Sequence, residues 1–151
     1  VRFVAAVAAV AAVAAIAAVT VSLALSLALS LALAPVASAD PVPGPPYVDH
    51  VEWAKSGDMS SLHVYPTDAA RRASRRPGTD AQAGEAWAEV LTLSPDADSP
   101  SMKAQFLCHW HFAELVEPGK VSWNLEPWRN EVSDEEMVAA GCNPGGSEEP
   151  F

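Results

Sequence analysis

From Phe3 to Ala34 the chain carries no charged residue and consists almost wholly of Ala, Val and Leu. About 20 such residues already cross a bilayer as a helix, and this run is longer. The composition thus splits the chain in two, an export segment and the domain after it. Arg2 precedes the run, and Ala37-Ser38-Ala39 after it forms the small-x-small pattern that a signal peptidase cleaves. Residues 1–39 are therefore expected to be a signal peptide, with a mature chain starting at Asp40. The competing reading is a retained membrane anchor. No positive cluster follows the run to stop transfer, which favours cleavage. Val1 in place of Met suggests an alternative start codon, with the true start further in.

Taking residues 1–39 from 151 leaves 112, and it removes one cation, Arg2, and no anion. Lys+Arg falls from 9 to 8 against 19 Asp+Glu, a formal net charge of −11. Such a surface repels phosphate backbones and anionic lipid, so nucleic acid is not an expected partner, and a membrane is met only through an uncleaved export segment. Arg71, Arg72, Arg75 and Arg76 form a local basic band at helical spacing, read as a solvated helix face. The two cysteines, Cys108 and Cys142, are expected to pair, because the outside of a cell is oxidising. Closing a loop of that length removes denatured-state entropy worth about 4 kcal/mol, less any native strain.

The mature chain reads as four stretches. Residues 40–46, rich in proline, form a stiff extended spacer. Residues 47–144 form the domain, and 145–151 an acidic flexible tail, with disorder setting in from Asn143. Within the domain, Tyr47, Asp49, Val51 and Trp53 alternate with Val48, His50 and Glu52, the period of a strand. Gly57-Asp58 supplies a turn, and Ser60 to Tyr65 alternates again with Leu62 and Val64 on one face, completing a hairpin. Thr67 or Asp68 caps a short helix that Pro77-Gly78 stops. Thr79 and Gln82 form a capping box for a second helix, with Trp87, Val90 and Leu91 on a buried stripe. Ser99 and Pro100 start a long third helix, whose stripe is read as Ala104, Leu107, Cys108, His111, Phe112 and Leu115. Lys120 to Glu126 gives a third strand with Val121, Trp123 and Leu125 facing inward. A last helix has Ser133 and Glu136 as capping box, a Val132–Met137 staple and Gly141 at its end. The expected fold is α+β, a small antiparallel sheet of about three strands packed against three or four helices, with one disulfide.

Three strings resemble a family of secreted actinobacterial domains of unknown function. They are Cys108-His109-Trp110-His111-Phe112-Ala113, Trp123-Asn124-Leu125-Glu126-Pro127-Trp128-Arg129, and Cys142-Asn143-Pro144. The resemblance covers essentially the whole mature domain and implies export and a disulfide. It brings no activity, catalytic residue or cofactor with it.

The densest chemical cluster is Cys108-His109-Trp110-His111. On a helix, residues two apart diverge by roughly 200°, so His109 and His111 cannot share a metal there, and no metal or other cofactor is expected. Cys followed by His in a secreted helical protein superficially resembles bacterial phospholipase A2. That family's Asp directly after the His is missing, since Trp110 follows His109 and Phe112 follows His111. His109 and His111 remain candidates only for a hydrolase that borrows a carboxylate from elsewhere. No Gly-x-Ser-x-Gly, His-Glu-x-x-His, P-loop or dinucleotide fingerprint occurs in the mature chain. Of the five tryptophans, Trp53, Trp87 and Trp123 fall on expected inner faces, whereas Trp110 and Trp128 do not. Trp128, Arg129 and Trp110 are therefore the expected binding residues. The bland alternative pairs Arg129 with Glu126 and stacks it on Trp128. The leading expectation is a secreted, non-enzymatic interaction domain, extracellular or held at the cell envelope, with a protein or envelope component as partner. A small secreted hydrolase and a toxin-like effector are the alternatives.

Overall fold

The computed structural model describes residues 40–146; the expected signal peptide and the tail beyond Gly146 lie outside the described residues. Among the described residues the domain is α+β, with three strands in the order β1-β2-β3 and four helices. Strand β1 (Val48–Ser56) pairs antiparallel with β2 (Met59–Pro66), setting Val51 opposite Val64 and Trp53 opposite Leu62. The two-residue turn works because Gly57 takes φ +60 with Ser56 opposite Met59, a first central position that only glycine fills cheaply. Strand β3 (Trp123–Leu125) adds to β2, with Leu125 opposite Leu62 and Trp123 opposite Val64.

Helix α1 (Asp68–Ser74) begins at Thr67, whose Oγ1 accepts from the Ala70 N–H. Helix α2 (Asp80–Leu93) follows, then a single 3₁₀ turn at Pro95–Ala97, and then α3 (Pro100–Val116) with Ser99 as cap. Helix α4 (Asp134–Ala139) is capped by Ser133. It ends with the Gly141 N–H on Val138 O and the Cys142 N–H on Met137 O, and both residues are left-handed (φ +62 and +72). That is the paired 5→2 and 6→1 closure of a Schellman end. The Cys108–Cys142 disulfide, with Cα atoms 5.4 Å apart, binds this end to the middle of α3.

The core fills the space between sheet and helices. Phe106 sits among Trp87, Trp123 and Trp110 at centroid distances of 5.5, 5.8 and 6.5 Å, and Tyr47 meets Trp110 edge-on at 5.5 Å. Ala70, Ala73, Ala83 and Ala86 let α1 and α2 approach these rings.

Several expectations change here. The stripe of α3 is rotated: Met102, Phe106, Trp110 and Ala113 face the core, whereas Phe112 and Leu115 are exposed, Leu115 by 63%. The helix also buries the polar side chains of Gln105, His109 and Glu114, which an apolar period misassigns. Trp110 belongs to the core and Trp53 does not; Trp53 is 40% exposed, its indole N–H on Ser94 Oγ. An irregularity between Val48 and His50 breaks the alternation of β1, so Tyr47 and Val48 are both buried and both donate their N–H to Glu89. Thr79 does not close a capping box, because its hydroxyl accepts from the Trp110 indole and donates to Arg76 O. Val121 is 73% exposed and lies before β3. The proline spacer is docked, with Pro41, Pro43 and Pro46 carbonyls accepting from Arg76, Tyr47 and Thr67. Asn143 and Pro144 are ordered and buried.

Candidate functional site

Pro127 cannot donate to the sheet, and β3 stops two residues before it. The chain there turns Glu126 and Arg129 inward. The Glu126 carboxylate accepts from Ser61 Oγ at 2.8 Å, Asn143 Nδ2 at 2.7 Å and Arg129 Nε at 2.7 Å. Its backbone is clasped by Gln105, which accepts from the Glu126 N–H and donates to the Glu126 carbonyl. Ser101 Oγ accepts from Gln105 and donates to Arg129 O. Arg129 Nη1 donates to the carbonyls of Asn143, Pro144 and Gly146 at 2.8–3.1 Å. Its Nη2 is buried with no partner among the described residues. A buried ion pair is tolerated only when its remaining valences are met, and here all but that one nitrogen are.

Trp128 forms the lid of this centre. Its ring lies 4.4 Å from the Arg129 guanidinium carbon, its indole N–H donates to Ser60 O at 3.2 Å, and 37% of it is exposed. The cation under one face and the hydrogen bond at the edge fix the ring's orientation. Beside it lies a cleft of about 260 Å³ walled by Trp128, Arg129, Asn130, Val132, Glu136 and Pro144. The sequence marked Glu136 only as a helix cap and Asn143 only as part of the Cys142-Asn143-Pro144 string, and it gave Asn130 no role; nothing in it placed Asn130 and Glu136 on one wall.

The expected binding residues thus separate. Trp128 and Arg129 sit together, with Arg129 paired to Glu126 and stacked under Trp128. Trp110 is fully buried in the aromatic core and cannot touch a partner. The histidines separate as well. His109 is buried with Nδ1 donating to Gln105 O at 2.9 Å, on the wall of an apolar pocket of about 150 Å³ that also includes Phe112, Val116, Val138 and Cys142. His111 Nε2 comes within 3.3 Å of Asp80 Oδ1, and both side chains are exposed. Neither wall of a cleft includes His111. Among the described residues, no group of three or more His, Cys, Asp and Glu could hold a metal ion.

A second buried carboxylate lies at the far end of α3. Glu114 accepts from Arg71 Nη1, from Arg75 Nη2 at 2.6 Å, and from the Gly119 N–H. Burial pushes its carboxyl up, but the hydrogen bonds of Arg75 and Arg71 outweigh this and hold it below the ordinary carboxylate range. The arginine band therefore faces partly inward: Arg71 also donates to Lys120 O, and Arg76 to Pro41 O.

No solved structure matches the chain. It is 60% identical over 111 residues to uncharacterized proteins of Mycobacterium tuberculosis and Mycobacterium bovis, covering 74% of each chain. An uncharacterized protein of Mycobacterium leprae is 52% identical over 104 residues, 68% of this chain and 83% of that one. These relatives fit the actinobacterial resemblance of the sequence. Residues 48–145 match the family described as protein of unknown function (DUF2599), and the chain belongs to that family.

Proposed function

We propose that the chain is exported, cleaved before Asp40, and acts outside the cell as a non-enzymatic binding domain whose contact surface is the Trp128 cleft. The observation that carries this is an indole fixed by Ser60 O and the Arg129 guanidinium, yet left 37% exposed at the mouth of a cleft. A pre-set aromatic surface binds without the entropy cost of ordering a mobile side chain, and Trp is among the residues most enriched at binding hot spots. The disulfide is compatible with an oxidising compartment. The His111–Asp80 contact, which the hydrolase reading would use, lies on open surface where no substrate would be enclosed.

The test uses the full chain expressed with its own N-terminal segment. Protein recovered from the medium is expected to start at Asp40 by mass spectrometry and to be retained on cell envelopes. Trp128→Ala should reduce that retention roughly tenfold or more. Equal retention of the variant, or failure to find the protein outside the cell, sinks the reading.

A further inference from the structure

The pocket of about 150 Å³ beside His109 is a place apart from the Trp128 cleft, since no residue lines both. Phe112, Ala113 and Val116 of α3 and Val138 of α4 give it apolar walls, with His109 and Cys142 beside them. The donors on those walls are already spent. The N–H groups of Glu117, Lys120, Gly141 and Cys142 go to the carbonyls of Ala113, Glu117, Val138 and Met137, and His109 Nδ1 goes to Gln105 O. A polar group entering would leave water and gain nothing from these donors, whereas hydrocarbon is favoured. An apolar cavity of that volume holds about six carbons, the size of benzene.

The apolar surface continues outside. Phe112, Leu115 and Val116 stand at i, i+3 and i+4 on α3 and are 38%, 63% and 83% exposed, so a longer chain can run from the pocket along the helix. A peptide laid there would bring backbone groups whose partners on this wall are spent; an alkyl chain brings none. Charge sets the other end of the ligand. Lys120 lines the pocket, Arg71 donates to the Lys120 carbonyl, and Arg72 and Arg75 follow on and after α1. Residues 68–80 and 111–121 hold five of the eight cations found after residue 39 but only four of the nineteen acids. The acids of α4 sit in its first turn, and the pocket takes its end. Charges more than roughly 8 Å away are screened at physiological salt, so this local balance, not the net charge of the chain, meets a ligand here. We infer that the pocket takes the acyl chain of an anionic lipid, with the headgroup turned to Lys120 and the arginines of α1.

The core and the disulfide lie wholly within residues 40–146, so the chain from Asp40 is the form to use, free of its apolar leader. Calorimetric titration with sodium dodecanoate below its micellar range should give a single-site isotherm. Dodecyl maltoside, the same chain on a neutral head, should bind about threefold more weakly, and Lys120→Glu should erase that preference. Co-flotation with phosphatidylcholine vesicles carrying phosphatidylglycerol separates the sources: binding to them assigns a membrane lipid, and binding of dodecanoate alone assigns free fatty acid. Val116→Asp with Val138→Asp places charge on two exposed wall positions and should weaken binding roughly tenfold or more, while Val116→Leu keeps it. Should the double variant lose its urea transition, Val116→Asp alone, at the most exposed position, reads the same effect. Binding of neither dodecanoate nor vesicles overturns the inference. So does equal binding of the neutral detergent, a preference that survives Lys120→Glu, or binding that ignores Val116→Asp.

Discussion

Glu126 and Glu114 are equally buried carboxylates, each with only 1% of its side chain exposed, yet they are built differently. Glu126 takes its partners from β2, its own turn and the segment after α4, and its arginine is as deeply buried as itself. Glu114 is served by one short helix and by the turn closing its own, and Arg75 remains 49% exposed. One centre knits together residues up to 65 apart in sequence; the other pins a helix end. The difference lies in the cation. A fully buried partner cannot be replaced by water when its mate is removed, whereas a half-exposed one can.

Three measurements can break this contrast. Arg129→Ala leaves the Glu126 charge without a cation and should cost about 3–5 kcal/mol in urea denaturation, a large share of the ~5–15 kcal/mol a domain holds. A loss below 1 kcal/mol would show that the two centres are equivalent. Replacing both cysteines by serine should cost about 2–4 kcal/mol. The damage should be uneven, because Asn143 and Pro144 follow Cys142 directly: amide exchange should accelerate around Glu126 and Arg129 but not around Arg71 and Glu114. Uniform acceleration would contradict the asymmetry. Arg75→Ala should cost about 1 kcal/mol or less, since the pair is half open to solvent and Arg71 remains. The Glu114 carboxyl is held below its usual value in the fold, so its stabilisation is complete above the unfolded-state value near 4.5 and is lost as pH falls through the lower folded value. Arg75→Ala should therefore flatten the acid limb of stability against pH. An unchanged limb would mean that Arg75 does not hold that carboxyl down.

What could be read from the sequence was local. The Gly57-Asp58 hairpin, the caps at Thr67, Ser99 and Ser133, the Val132–Met137 contact and the left-handed end at Gly141 each depend on residues within a few positions of one another. The cysteine pairing followed from there being only two. The facing of α3 was missed because that helix buries Gln105, His109 and Glu114 along with its apolar residues, so its apolar period does not mark its inner side. Trp53 and Trp110 exchanged places for separate reasons: Trp53 stands opposite Leu62 but on the edge strand β1, where it stays 40% exposed, and Thr79 gave Trp110 a buried acceptor. Of the candidate site, Trp128 and its stack on Arg129 were legible from adjacency. Glu136 as a wall of the cleft was not, since its place depends on where α4 docks.

The Schellman end of α4 also bears on the order in which the molecule can be completed. The carbonyls that receive Arg129 belong to Asn143, Pro144 and Gly146, which come after every helix and strand of the described residues in chain order. A nascent polypeptide short of those residues holds a buried guanidinium with its main acceptors not yet made. Closure at Cys142 therefore acts as a final latch, and a copy truncated before it would carry a fault at its centre instead of a loose end.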